Sequence, residues 1–313
     1  MGDILHFNLT FNNGKGKTAC ISMQEMLFFT EPNLTKKIRM SSLIVSRLIR
    51  MRSIFGIYLF IKGAILYIFL KQLFTTRDYL RLWTELLGFK PKRLVFELGT
   101  ITFRFNQIDK YTLWYGITQL DQIFIKNQYC LKTNIVSGKT LIDVGANMGF
   151  FSSFAALMGA KKVYAFEPVK ETFEMLKMTI KDNQLEKRVR LINKALGKKN
   201  GKASIGHSGR CDIGASIVID KGFSKTQPVD IITLDSFLGK NTPVDFIKID
   251  AEGSESDILL GSKKIIRKYK PVLSFSAYHK PEDKLELPEI VNSIRKDYSC
   301  RLNNYAEADF YCQ

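Results

Sequence analysis

The chain has 313 residues, with 47 Lys and Arg against 30 Asp and Glu and a formal net charge of +17. That length suits one large domain plus an extension, and a hydrophobic fraction of 45% excludes a fibrous or fully disordered chain. Five cysteines (Cys20, Cys130, Cys211, Cys300, Cys312) form no C-x-x-C pair, and the three histidines are scattered (His6, His207, His279). Reduced thiols in the cytosol are therefore expected, with neither a disulfide framework nor a zinc or multi-histidine centre.

The positive charge is uneven. Residues 1–137 carry 19 Lys and Arg against 8 Asp and Glu, and residues 138–313 carry 28 against 22. Residues 11–18 resemble a phosphate-binding loop only superficially, because Phe11 stands where a glycine is needed, so a charged turn is expected. No signal peptide is evident: the N-terminus lacks a basic start and an apolar core. A basic stretch (Lys36, Lys37, Arg39, Arg47, Arg50, Arg52) precedes an apolar one, residues 54–70, with Lys62 at its middle. Seventeen residues with a central charge are short for a membrane span, and the basic flank would orient the rest of the chain outward. Residues 36–74 are therefore read as lying on an anionic membrane surface, or as packing on the core or a second subunit, which would make a homo-oligomer.

Residues 76–91 predict a connecting helix stopped by Gly88. Residues 93–98 and 100–105 alternate around Gly99 and predict a β-hairpin. An aromatic helical lead-in (Tyr111, Trp114, Tyr115) follows over residues 110–130. Strands are then expected at 141–145, 163–167, 188–193, 244–250 and 271–278, and helices at 148–158, 169–182, 254–268 and 283–296. Two short strands end the chain, and residues 198–232 read as irregular. Such alternation predicts an α/β fold with a mostly parallel, doubly wound sheet and its ligand at the C-terminal strand ends. The division expected is an extension over 1–91, helical in part, and a main domain over 92–313 that begins with the hairpin.

The segment LIDVGANMGF, residues 141–150, is a buried strand, a glycine turn and a helix start. Asp143 is too polar for a buried strand without a partner. Gly145 and Gly149 suit close backbone approach, and Glu167, ending the next strand, suits two ribose hydroxyls. A dinucleotide fingerprint would need glycine where Asn147 and Phe150 stand, which disfavours NAD. The G-x-N-x-G form with Phe-Glu-Pro after it resembles motif I of class I S-adenosylmethionine-dependent methyltransferases. A second segment, VDFIKIDAEGSE at 244–255, carries Asp250, Glu252 and Glu255 in one turn. Together with ITLD at 232–235, LLG at 259–261 and FSAYH at 275–279, it resembles the FkbM family of methyltransferases over about residues 92–313.

The resemblance implies a Rossmann-like class I methyltransferase that uses S-adenosylmethionine. It implies O-methylation of a hydroxyl on a sugar, lipid-linked glycan or secondary metabolite, with carboxyl methylation also open. Cofactor contacts are expected from Asp143 (to the amino group), Gly145, Asn147, Gly149, Glu167 and Asn193. Catalytic roles are expected for Asp250, Glu252, His279 and Lys248, with His279 a natural base near neutral pH. Lys248, a charge in a buried strand, is expected to pair with one of these acids. No ligand count supports a metal ion on Asp250 and Glu252. The basic run from Lys187 to Lys202 keeps an RNA methyltransferase in view, though no RNA-binding module accompanies it; a second alternative is a non-catalytic binding module recruited to a membrane on a vestigial cofactor fold. A cytoplasmic enzyme, peripheral on the membrane or not, is the resulting expectation, with nucleic acid a disfavoured partner.

Overall fold

The computed structural model describes residues 127–313, apart from 208–214, 218–222, 224, 240 and 304–307. It also describes residues 119, 122 and 123 and the strand backbones at 9–12, 18–19, 94–98 and 101–105. The expectations for residues 36–74, the helix at 76–91 and the aromatics Tyr111, Trp114 and Tyr115 lie outside the described residues. Among the described residues no helix is long and apolar enough to cross a membrane.

Two compact units divide the chain, Met1–Lys110 and Tyr111–Gln313. In the first, β1 (Leu9–Asn12), β2 (Thr18–Ala19), β3 (Leu94–Leu98) and β4 (Ile101–Phe105) form an antiparallel sheet in the order β2-β1-β3-β4. The stretch over 11–18 thus links two antiparallel strands, with Phe11 opposite Ala19 and Asn12 opposite Thr18. The β3–β4 hairpin forms where the alternation around Gly99 predicts it, with Leu98 opposite Ile101. β3 also pairs with β1 within the first unit.

The second unit is built on seven strands in the order β13-β14-β12-β11-β5-β6-β7. These are β5 (Thr140–Val144), β6 (Lys162–Phe166), β7 (Val189–Ile192), β11 (Phe246–Ile249), β12 (Val272–Ser276), β13 (Cys300–Asn303) and β14 (Asp309–Cys312). The five from β5 to β12 run parallel, and β14 returns antiparallel beside β12. The parallel strands are largely apolar, interrupted by Asp143 on β5, Arg190 on β7 and Lys248 on β11, as suits a sheet with helices over both faces. Strand order reverses between β5 and β11, so the crevice for a ligand opens at their C-terminal ends.

The helices are α1 (Thr133–Val136), α2 (Phe150–Leu157), α3 (Lys170–Asp182), α4 (Leu234–Leu238), α5 (Glu255–Gly261), α6 (Lys263–Tyr269) and α7 (Asp283–Ile294). Helix α3 buries Thr172, Leu176, Thr179 and Ile180, one face of a 3.6-residue repeat. The single helix expected over 254–268 is two, broken at Ser262. The Asp235 carboxylate caps the second, accepting from the Lys264 and Ile265 amides at 3.0 Å each. At Gly261 a Cβ would collide with the Gly197 carbonyl, so glycine is required where α5 meets the chain after β8.

Two further expectations are corrected. The region read as irregular holds a three-stranded sheet, β8-β10-β9, made of β8 (Ala195–Leu196), β9 (Gly201–His207) and β10 (Lys225–Ile232). Both long strands mix polar residues, glycine and scattered apolar residues, so they carry little apolar signal. Cys300 and Cys312 form a disulfide, against the expectation of reduced thiols. They are directly opposed in the β13–β14 pair, a proximity that spacing along the chain does not reveal.

Candidate active site

The glycine turn after β5 is fixed from behind. Asp143 and Lys248 are opposite each other on β5 and β11. The Lys248 ammonium lies 3.1 Å from Asp143 Oδ1 and donates to the carbonyls of Val144 (3.1 Å) and Gly145 (2.7 Å). Ser152 Oγ donates to the other Asp143 oxygen at 2.6 Å. Asp143 and Lys248 are both buried. Lys248 therefore pairs with the neighbouring strand, not with the acids that follow it, and Asp143 is enclosed by protein donors where a donor amino group was expected.

The turn has little steric room. Gly145 has φ +70°, and a Cβ there would strike the Asp250 carbonyl, because Asp250 donates its amide to Val144 across the switch point. Gly149 has φ +91°, and its Cβ would lie 2.8 Å from Leu176 Cδ1. The close approach that demands glycine at both positions is thus made by the protein itself.

Glu167 follows β6 and turns its carboxylate back onto the loop. Oε2 accepts from the Asn147 amide and Oε1 from the Val169 amide, both at 2.9 Å. Burial pushes its pKa up to about 7, against the pull of those two amides and of Lys248. Asn193, after β7, donates through Nδ2 to the carbonyls of Glu167 (2.8 Å) and Pro168 (3.1 Å), as a strand-end cap would.

The Glu167 shift has a measurable consequence. The unfolded chain ionises this group near 4.5 and the folded one near 7, so between those values the native state holds more protons. Its contribution is present below about 4.5 and is lost as pH rises through 7, by about 3 kcal/mol. Denaturant melts across that window should show a falling contribution that Glu167→Gln flattens; equal slopes for the two proteins would disprove it.

Across the switch point, the acids after β11 converge on His279, which follows β12. His279 Nδ1 lies 3.0 Å from Glu255 Oε1, and Nε2 lies 3.4 Å from Glu252 Oε2 and 3.7 Å from Asp250 Oδ1. The turn takes positive φ at Glu252 (52°) and Gly253 (96°), which brings these acids round to one imidazole. The hydroxyls of Tyr129 (3.2 Å) and Tyr278 (3.4 Å) donate to Asp250. Burial lowers the His279 pKa, but the carboxylates of Glu255, Asp250 and Glu252 outweigh it and raise the pKa to about 9. At neutral pH His279 therefore carries a proton, unlike the near-neutral base expected from the sequence.

The structure brings Asp250, Glu252, Glu255 and His279 together, and separately Gly145, Asn147, Gly149, Glu167 and Asn193. Sequence reasoning missed Ser152 and Tyr129. A serine on the first helix turn and a tyrosine in an aromatic-rich lead-in carry no local signal of a buried acid on another strand.

Residues 143–301 match the family model described as the methyltransferase FkbM domain. The chain belongs to this family. All the sheet-end residues above from Asp143 to His279 lie within the match. Among solved structures it is similar to methyltransferase FkbM from Methylobacillus flagellatus, at 23% identity over 56% of this chain and 44% of that one, with TM-score 0.44. A methyltransferase structure from Streptococcus mutans, solved in complex with SAH, is 13% identical over 60% of this chain and 97% of that one, with TM-score 0.39. Among curated proteins, protein arginine N-methyltransferase 6 of Danio rerio is 41% identical over 61 residues, 20% of this chain. The chain spans less than half of the solved FkbM protein and 17% of the curated relative.

Proposed function

We propose that this FkbM-family chain transfers a methyl group from S-adenosylmethionine to a hydroxyl of a sugar, lipid-linked glycan or secondary metabolite. The observation that carries the reading is the Asp250–His279 cluster facing the glycine turn across the switch point. The donor supplies a methyl group on a positive sulfur that becomes a neutral thioether when the methyl leaves. The residues present suit it. Each Glu167 oxygen spends one acceptor site on a backbone amide and keeps another for a ribose hydroxyl. The Asn193 amide oxygen is not used by its two capping bonds and lies beside a groove lined by Pro168, Gln227 and Val229, room for a flat base.

Asp250 reaches the acceptor, since its side chain is 23% accessible while His279 and Glu255 are enclosed. It orients the acceptor hydroxyl and takes the proton that the new oxygen–methyl bond releases. Tyr129 and Tyr278 hold Asp250 in place. Lys248 and Asp143 act behind the turn and keep the donor loop in register with β11.

Calorimetry should show binding of S-adenosylmethionine and of its demethylated product, with none of NAD. Labelled methyl transfer offered glycan, lipid and RNA fractions should mark hydroxyl-bearing glycan or lipid. Label in RNA alone would replace this acceptor class, and NAD binding without donor binding would end the methyltransferase reading for this chain.

We also propose that the basic and apolar stretch over 36–74 brings the enzyme to an anionic membrane surface. The charges attract the head groups, and apolar burial adds a part that salt does not screen. The full-length protein should float with phosphatidylserine vesicles, and replacing Lys36, Lys37 and Arg39 by serine should weaken this. A protein that ignores such vesicles would leave the stretch to subunit contact.

A further inference from the structure

Three carboxylates converge on His279. Asp250, Glu252 and Glu255 surround one imidazole, and the buried Asp283 lies close by, its pKa raised by burial and in part by the Glu255 carboxylate. Even a protonated His279 offsets one of these carboxylates. Lys248 cannot serve, because its ammonium is held by Asp143 and two carbonyls on the far side of the turn.

Glu255 gives the sharper sign. Its side chain is 1% accessible. Oε1 accepts from the Ala251 amide at 2.9 Å, whereas Oε2 is buried with no hydrogen-bond partner among the described residues. An ionised carboxylate oxygen is costly to enclose without a donor or a cation. The ring nitrogens of His279 are likewise buried without a well-formed hydrogen bond.

One ligand atom each from Asp250, Glu255 and His279 lies within 4.8 Å of the others. Ligands about 2.1 Å from a small divalent ion sit up to about 4.2 Å apart, so slight rotamer changes close the set. Two carboxylates and one imidazole suit manganese or a similar first-row ion, whose binding would release the proton that His279 otherwise carries at neutral pH. We propose that Asp250, Glu255 and His279 form a divalent-cation site that binds the acceptor oxygen. It rests on the methyl-transfer reading above and names how the acceptor is held.

Only Asp250 of the three is appreciably accessible, so the open coordination positions lie on its side. There an acceptor hydroxyl binds through oxygen. The cation stabilises the oxygen as its O–H bond breaks, and the proton passes to a carboxylate or to water. As the oxygen–methyl bond forms, the sulfur–methyl bond breaks and its electron pair stays on sulfur.

The test is titration of the full-length, chelator-treated protein with Mn2+ alone, followed by loss of the free-ion paramagnetic signal. Donor binding is measured by calorimetry on the same sample. One ion per chain is expected, with affinity reduced at least tenfold in Asp250→Asn and in Glu255→Gln. Asp250 is partly accessible, so its variant remains a test where the buried Glu255 variant fails to fold. No Mn2+ uptake up to millimolar concentration, or undiminished uptake in the Asp250 variant, overturns the cation site. Donor binding without Mn2+ uptake overturns the cation site and spares the methyl-transfer reading. Uptake at these residues without donor binding overturns that reading and leaves the cation site standing.

Discussion

Replacing Lys248 by methionine should cost the second unit about 3–5 kcal/mol, the largest single-site loss of stability expected in this protein. Methionine fills much of the same space but leaves the Asp143 carboxylate, enclosed on β5, with Ser152 Oγ and no cation. It also strips donors from the Val144 and Gly145 carbonyls just where the chain turns. The pair itself has little net value, because both ions were dehydrated to make it; the penalty comes from orphaning one of them. The double variant Lys248→Met with Asp143→Asn should therefore be more stable than Lys248→Met alone. Urea unfolding of the three proteins measures this. A loss below about 1 kcal/mol for the single variant would show that the ammonium does not hold the turn.

Asp250→Asn should lower turnover by roughly 10²–10⁴-fold, the range for loss of a positioned acid–base group, and leave donor affinity nearly unchanged. Asparagine keeps the shape and accepts a bond from one tyrosine, but it cannot take up a proton at neutral pH. The proposed donor side, at Glu167 and Asn193, lies on other strands and is untouched. Single-turnover transfer and donor calorimetry separate the two effects. If donor affinity falls as far as turnover does, Asp250 belongs to the donor site. Glu167→Ala should give the converse pattern, with donor affinity lost first.

The parallel core was legible because runs such as 141–144 and 246–249 are apolar except for Asp143 and Lys248, and the glycine turn and Glu167 mark the sheet edge beside it. What lay hidden was lateral. Lys248 was expected to look along its own strand, yet its partner is in register on the next one, and no single strand states its neighbour. The cysteine pair and the β8–β10–β9 sheet were hidden for the same reason, since cross-strand pairing of polar residues has no periodic signature. The acids after β11 could each be named. That three of them meet one imidazole depended on the backbone reversal at Glu252 and Gly253, which non-glycine residues seldom make.

Tyr129 and Gln128 precede the family-matched residues, yet one holds Asp250 and the other donates to Asp309 at 2.7 Å. At the opposite limit, β14 runs over Asp309–Cys312, beyond residue 301, and stands between β12 and β13 in the sheet. A clone trimmed to residues 143–301 would express a sheet without its inner return strand and an acid cluster without one of its tethers. The segment that identifies the family is shorter than the compact unit that holds its sheet and its acid cluster.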